Sequence, residues 1–587
     1  MLTSKHFVIK ALLISLIALF ISTSISFAQS KSEKVDELLA LYHEYAKFNG
    51  SVLVAHEGNV IYKNGFGMAN MEWDIPNTSV TKHRLGSITK QFTAMLALQL
   101  VAEGKLKLHE PINKYLSEYP QPAADKITVH HLLTHTSGLP NYTSFDDFMK
   151  DHSRDPYTPM DFLEEFAYKD LEFEPGSRFN YSNSGYFLLG VIIEVVSGST
   201  YEEMLHKNIF IPLGMNDSGF DHHRDILKNR ATGYEKNGTT FENSRYLDMS
   251  IPYAAGSMYS TVEDLYIWDQ ALYTNKLLSQ KYMDLYFQAH IPAFGDLYYA
   301  YGWGVGKVNV GNAIDSIYIN SHGGGINGFN TIITRIPETK SLILLLNNTG
   351  GAPLNEIAQK ISAILLGKTY DLPKQSLANH LYDLIGKKGI ETAKEQYKLL
   401  KSDDHFDLNE NEMNQVGYQL MNEEKLKEAL QVFKWNLDAF PNSFNVYDSY
   451  GEALMNLGQK ELAIANYRKS VEMNPGNQNG LDMLQKLGVD QESLVNEILV
   501  PLEILENYVG DYELQPGFIL SIFLDGMQLK AQATGQAAIE LFPKSKEVFY
   551  VKVVEAQVTF NMNDSGQVES LTLLQGGAEI NGPKIEE

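Results

Sequence analysis

Two stretches of the chain place a serine three residues before a lysine: Ser79 and Lys82 in "SVTK", and Ser87 and Lys90 in "SITK". A serine hydroxyl is a weak nucleophile at neutral pH and becomes an attacking group only beside a base or cation. After Ser87, but not after Ser79, apolar residues recur at helical spacing: Ile88, Phe92, Met95, Leu96 and Leu100. A helix is therefore expected to begin at Ser87. Residues three apart share a helix face, so Lys90 can approach the Ser87 hydroxyl. The helix start also offers free N–H groups and the positive end of a dipole, both suited to a developing oxyanion. The plainer alternative is a capping serine followed by a solvated surface lysine, and the motif alone leaves these readings balanced.

Two further clusters bear on that balance. In "FNYSNSGYFLLGVIIEVVSG", Tyr181 and Asn183 stand at the mouth of a second strongly apolar helix. In "SHGGGINGF" (321–329), His322 precedes three glycines after a strand pattern. Glycines there let a backbone approach a substrate and aim N–H groups at it. His130, His131 and His135 in "HHLLTHTSG" have metal-like spacing but lack the adjacent glutamate of zincins, so structural hydrogen bonding is the expectation. His222 and His223 lie in a charged loop and read as solvated. No metal is expected.

The elements that would position these groups are legible as patterns. Residues 33–47 suggest an amphipathic helix with Val35, Leu38, Leu39, Tyr42 and Ala46 on one face. "SVLVAHEG" and "NVIYKNGFG" read as a hairpin around a Glu-Gly turn. Helices and long loops follow from about 80 to 280. Strand patterns return at "SIYIN", "FNTIITRIP" and "SLILLLNN", ahead of a helical 353–366. If early strands pair with late ones, a mainly antiparallel sheet results, flanked by terminal helices and carrying an inserted helical lobe.

Beyond the loop "GKTYDLPKQS" the character changes. Gly417, Leu420, Ala429, Phe433 and Pro441 recur as Gly451, Leu454, Ala463, Tyr467 and Pro475, a step of 34. This resembles two tetratricopeptide repeats, with 377–401, including Ala393 and Tyr397, as a degenerate neighbour. The stripe is expected to be a packing face first and a peptide- or protein-binding groove second. Alternating segments from about 500 onward predict a small β-barrel or sandwich.

Bulk properties narrow the classes. The chain has 587 residues, a net charge of -24 and no cysteine. It is long enough for several domains. Its negative charge disfavours nucleic acid and anionic lipid as partners, and thiol chemistry is excluded. Residues 1–28 carry Lys5 and Lys10, an apolar run and a small-residue cleavage site at "SFA", as in a removed signal peptide. Export to a periplasm is the expectation, with no stable membrane anchor after cleavage. The expected division is 1–28 signal peptide, 29–368 a domain carrying Ser87, Lys90, Tyr181 and the glycine-rich strand, 377–490 helical repeats and 500–587 small β-domain.

Taken in this order, Ser87-x-x-Lys90, Tyr181-x-Asn183 and the glycine-rich strand resemble the serine β-lactamase and penicillin-binding superfamily. The resemblance is greatest to its class C branch with D-alanyl-D-alanine carboxypeptidases, esterases and D-aminopeptidases. "ITVHHLLTHTSGLPNY", "AAGSMYSTVEDLYIWDQAL" and "YGWG" extend it over about residues 33–367. The resemblance implies an α/β (α+β) fold and an acyl-enzyme on Ser87, without a cofactor. It implies that Lys90 eases deprotonation, Tyr181 serves as general base, and Asn183 holds Lys90 and the substrate amide. Gly324 and Gly325 would line the substrate strand, with the N–H groups of Ser87 and Gly325 as oxyanion hole. His322 departs from the lysine common in β-lactamases, so recognition of a substrate carboxylate should be weaker. The substrate is then an ester, amide or D-amino-acid peptide; the alternatives are a true class C-type β-lactamase or a catalytically silent binder of cell-wall peptides or proteins.

Overall fold

The computed structural model describes residues 29–585 except 146–147, 238–239, 313–315, 490–499, 516, 527, 552–553, 555, 564–565 and 576–577. The expected signal peptide, residues 1–28, lies outside the described residues, as does part of the expected turn at "NDSG". The chain divides into two compact units, one ending at Pro373 and the other beginning at Lys374.

In the first unit, α1 (Lys31–Glu44), β1 (Gly50–His56) and β2 (Asn59–Phe66) come first. A helical lobe carries α2 (Thr89–Ala102), α3 (Val129–Leu133), α4 (Asn183–Ser197) and α5 (Tyr253–Gly256). Then come β3 (Ile291–Phe294), β4 (Leu297–Tyr299), β5 (Gly304–Asn309), β6 (Ser316–Ile326), β7 (Phe329–Ile336), β8 (Ser341–Asn347) and α6 (Leu354–Leu366). These strands form one eight-stranded sheet in the order β3-β4-β5-β6-β7-β8-β1-β2, antiparallel throughout. The first strand therefore sits beside the last, with Gly50 opposite Asn347 and Ala55 opposite Leu342.

Side chains alternate across a strand, and here both faces are covered. In β8, Ile343 and Leu345 pack with Val35, Leu38 and Leu39 of α1 and Ile357 and Ile361 of α6. Leu342, Leu344 and Leu346 face the lobe. This explains why "SLILLLN" reads as an unbroken apolar run rather than an alternating one. α1 opens on a capping box between Ser30 and Glu33. It stops at Glu44, short of the expected residue 47. Ala46 takes φ +52, beyond the helix, and is exposed. Asparagines tie the strand ends: the Asn49 N–H donates to Asn347 Oδ1 at 2.8 Å, and the Asn49 and Asn77 amides donate to Asn348 Oδ1 at 2.7 and 3.0 Å.

The second unit starts with a helical segment. Helices Glu410–Asn422 and Leu426–Ala439 pair, as do Phe444–Asn456 and Lys460–Met473. A Cβ on Gly417 would fall 2.5 Å from the Phe433 ring, and one on Gly451 would fall 3.3 Å from Tyr467. A small residue thus faces an aromatic one in each pair. The earlier helix Ile390–Leu400 joins this core through Tyr397, stacked on Trp435 at 4.7 Å. A four-stranded and a five-stranded sheet follow, sharing a core that includes Tyr512, Ile522, Phe549, Phe560 and Leu571.

Candidate active site

The two Ser-x-x-Lys matches have different fates. Ser79 donates to Glu263 at 2.7 Å, and Lys82 pairs with Asp217 at 2.9 Å. Ser87 lies in a single 3₁₀ turn, Gly86–Ile88, that leads into α2. Its side chain caps neither helical element. Its oxygen accepts from Lys90 Nζ at 3.0 Å instead. Lys90 is not a surface charge: it is fully buried. α2 is apolar around most of its circumference and runs through the core, as expected for a helix buried on all sides.

Lys90 Nζ also donates to Asn183 Oδ1 at 2.8 Å and to the Ala255 carbonyl at 2.9 Å. Three acceptors suit an ammonium, yet no carboxylate is among them. Desolvation therefore dominates, and burial holds the amine well below the ordinary lysine pKa. A neutral Lys90 would donate to Asn183 and Ala255 and turn its lone pair to the Ser87 hydroxyl.

Tyr181 and Asn183 sit where the chain enters α4. Lys90 Nζ lies 4.9 Å from the centroid of the Tyr181 ring. Burial raises the phenol above its ordinary pKa, opposed by a hydrogen bond from Ser87. The resting Tyr181 is therefore a neutral phenol. His135 backs its ring at 4.1 Å and accepts from the Ser182 N–H at 3.1 Å. Asn141 Oδ1 fixes Asn183 by accepting from its backbone N–H at 3.0 Å.

The glycine-rich strand is β6. It turns into β7 through Asn327-Gly328, with Ile326 paired to Phe329. In a two-residue hairpin that closing pair is hydrogen-bonded, so Gly325, opposite Asn330, falls at a non-hydrogen-bonded position. Its N–H and C=O point away from β7, toward Gly86. A Cβ on Gly86 would come within 2.9 Å of the Gly325 nitrogen, and Gly86 itself has φ +54. A Cβ on Gly324 would fall 1.9 Å from the Leu85 carbonyl oxygen, whereas one on Gly325 would meet nothing within 4 Å. Gly324 allows the strand to close on the serine turn, and Gly325 faces open space. The Ser87 N–H lies in a first helical turn, where N–H groups lack intrahelical partners. Ser87 and Gly325 line the same cavity; a donor aimed at an oxyanionic transition state contributes about 3 kcal/mol.

His322 precedes these glycines on β6. Its Nδ1 donates to the Gly323 carbonyl at 2.6 Å, and its Nε2 lies 3.0 Å from the Tyr299 hydroxyl. A carbonyl can only accept, so the proton is on Nδ1 and Nε2 accepts from Tyr299. Burial and Lys90 lower its pKa to about 4. Both ring nitrogens are therefore engaged within the protein.

The remaining histidines of the 130–135 motif also have partners: His130 Nδ1 is 2.8 Å from the Tyr301 hydroxyl, and His131 forms a capping box with Thr128. Among the described residues no group of three or more His, Asp or Glu could hold a metal. A cavity of about 180 Å³ opens at Ser87, lined by Asn183, Gly325, Tyr142, Phe148, Leu247, Ile251 and Ile326. None of its lining residues carries a charge. Asn141 and the Ala255 carbonyl support the site but carry no spacing signal of their own, and the spacing that singled out His135 did not point to Tyr181. They fall in the family-like stretches "HTSGLPNY" and "AAGSM", which marked the regions without marking these groups.

Comparison with known proteins gives the class. The family described as Beta-lactamase matches residues 33–366, and a domain of unknown function, DUF3471, matches 496–583. A penicillin-binding protein of Bacillus subtilis (strain 168) is 30% identical over 382 residues, 62% of this chain and 81% of the relative. The structure of a penicillin binding protein from Bacillus halodurans aligns with TM-score 0.50 and 29% identity, covering 56% of this chain and 99% of that one. A D-amino acid amidase from Ochrobactrum anthropi SV3 aligns with TM-score 0.51 and 26% identity, over 57% of this chain and 97% of the amidase. The chain belongs to the β-lactamase family, a fold family of serine hydrolases that includes penicillin-binding proteins and amidases.

Proposed function

We propose that the chain is an exported serine hydrolase that forms an acyl-enzyme on Ser87 with neutral ester or amide substrates, D-amino-acid derivatives among them. The observation that carries this reading is Lys90: a fully buried lysine, without a carboxylate partner among the described residues, 3.0 Å from the serine oxygen. A buried amine in that position is costly to stability and useful as a base.

In the proposed reaction Lys90 takes the Ser87 proton as the oxygen attacks the substrate carbonyl carbon. The oxyanion receives the N–H groups of Ser87 and Gly325. Tyr181 gives its proton to the leaving nitrogen or oxygen and regains one from Lys90, which releases the acyl-enzyme for hydrolysis by water. Asn183 holds Lys90 in register. The uncharged cavity favours a neutral apolar acyl group, and the engaged imidazole of His322 supplies no charge for a penicillin carboxylate. Export rests on the leader-like residues 1–28, and the helical segment is the part best suited to a protein partner.

Intact-mass spectrometry after incubation with a fluorophosphonate tests the reading. One adduct is expected, lost in Ser87→Ala and retained in Ser79→Ala. Labelling of Ser87→Ala at the wild-type rate would overturn it.

A further inference from the structure

α5 touches more than the catalytic cavity. Its first residue, Tyr253, has φ +40, a left-handed conformation that a tyrosine adopts only under constraint. Its ring presses on α4 so closely that a Cβ on Gly190 would fall 2.4 Å from it. The next carbonyl, of Ala254, accepts from Thr93 at 2.6 Å, and the one after, of Ala255, accepts from Lys90. Segment 249–256 lines the catalytic cavity through Ile251, Pro252, Ala255 and Gly256. Through Met249, Ser250 and Tyr253 it also lines a second cavity of about 650 Å³. That volume is within the range of small-molecule sites.

The walls of the second cavity include the rings of Tyr157, Phe220, Tyr246 and Tyr253. Its acidic groups differ in how they are neutralised: Asp248, without an ion pair among the described residues, accepts from the Tyr246 hydroxyl at 3.0 Å and from the Ser250 N–H and hydroxyl at 3.0 and 2.7 Å, with His223 nearby. Asp221 is held by Arg84 at 2.6 Å and Arg230 at 2.8 Å, and Glu202 faces His222 at 2.8 Å. Glu194, half-buried on α4, accepts from the Tyr201 N–H at 2.8 Å and faces the Tyr253 phenol. No basic side chain pairs with it among the described residues. The lining also includes Arg154 and Arg224, both exposed and so at the rim. An uncompensated carboxylate among aromatic faces attracts an organic cation, through charge and through the ring quadrupoles. Arginines at the rim favour a ligand whose other end is neutral or anionic.

We propose that this cavity binds a small amphipathic amine, with its ammonium at Glu194 and its apolar body among the aromatic rings, and that occupancy is transmitted through α5 to Lys90. Amino acids and amino-acid amides have this chemistry. The binding claim is independent of the hydrolase reading, and only the transmission to Lys90 rests on it.

The test is calorimetric titration of the full chain with phenethylammonium chloride and, separately, with 2-phenylethanol. The amine should bind, the alcohol at least tenfold more weakly. Glu194→Gln should weaken the amine at least tenfold while keeping the wild-type melting temperature, and Tyr246→Leu should weaken it by removing one of the lining rings. Binding should survive phosphonylation of Ser87, which fills the catalytic cavity. Equal binding by the alcohol, undiminished binding to Glu194→Gln, or loss on phosphonylation would each overturn the site. Saturating amine should also change neutral-ester hydrolysis several-fold in wild type and not in Glu194→Gln; an unchanged rate at full occupancy would overturn the link through α5.

Discussion

Tyr299 and His322 are bound together across β4 and β6, the phenol oxygen 3.0 Å from Nε2 while Nδ1 is spent on the Gly323 carbonyl. Both ring nitrogens are thus occupied, and the imidazole stays neutral until about pH 4. The ratio of penicillin to neutral-ester acylation rates should therefore be flat from pH 8 to pH 5 and rise only as pH approaches 4. His322→Lys should raise that ratio about tenfold, the difference between a charged and a neutral hydrogen bond. Stopped-flow acylation with both substrates at each pH checks this; a step near pH 6.5 would show an ordinary, freely titrating imidazole.

Lys90 carries the second expectation. Burial depresses its pKa, so more of the amine is free than in an ordinary lysine, and fluorophosphonate labelling should weaken as falling pH protonates it. Lys90→Met should slow labelling by about 10²–10⁴, the usual contribution of a positioned base. Folding should not suffer in proportion, because the substitution also removes the cost of burying an amine. Labelling rates and melting temperatures measured side by side decide it; an unstable but fully reactive Lys90→Met would reverse the assignment.

Neighbouring glycines should respond in opposite ways. Gly324→Ala forces a methyl to 1.9 Å from the Leu85 carbonyl oxygen and 2.4 Å from Thr331 Oγ1, an overpacking worth about 1–3 kcal/mol or more. Gly325→Ala meets nothing within 4 Å and should melt like wild type. Its methyl occupies the cavity beside Ser87, so ester turnover should fall although the fold is intact. Thermal melts and ester kinetics on the two variants separate these effects, and matching losses of stability would contradict the geometry.

His83 sets an acid limit on stability. It is fully buried, 2.9 Å from Ser51 Oγ, and burial lowers its pKa to about 3. Between about pH 6.5 and 3 the unfolded chain binds a proton that the folded chain refuses. Stability should then fall as pH falls through that window, by up to about 1.4 kcal/mol per pH unit for such a group, and cease falling below it. His83→Gln should flatten this limb of the melting-temperature profile. An unchanged slope would mean that other groups dominate it.

The chemistry should survive removal of everything after Pro373. The buried clusters around the sheet and lobe run from Val35 to Leu365, and those of the second unit from Leu377 to Leu571, with no residue in common. A chain ending at Pro373 should fold and label on Ser87 at a comparable rate. A folded but unreactive product would show that the second unit completes the site.

Ser87 was legible because the apolar residues after it recur at helical spacing, and the strands because their runs are bounded by turns. The Glu57–Gly58 turn is local chemistry, with both residues at positive φ. Other features are not local. Asn141 reaches Asn183 across 42 residues, the Ala255 carbonyl reaches Lys90 across 165, and Tyr299 reaches His322 from another strand. No pattern encodes such contacts, and two of them use backbone groups common to every residue type. Ala46 failed for the converse reason: it fits the helical period although the chain has already left the helix.

The sheet order has a consequence for how the molecule is made. β1 lies between β8 and β2, and its pairing of Gly50 with Asn347 joins segments almost 300 residues apart. During synthesis the first hairpin must therefore wait, one edge unpaired, until nearly the whole unit has emerged. Contacts this distant in sequence slow folding, because a long loop must close before any pairing compensates. The asparagines at Asn49, Asn77, Asn347 and Asn348 join the same distant segments and should close last. Pulse-labelled hydrogen exchange should show β1 amides gaining protection together with those of β8, after the β6–β7 hairpin has formed. Early protection of β1 would mean that the hairpin borrows another edge while it waits.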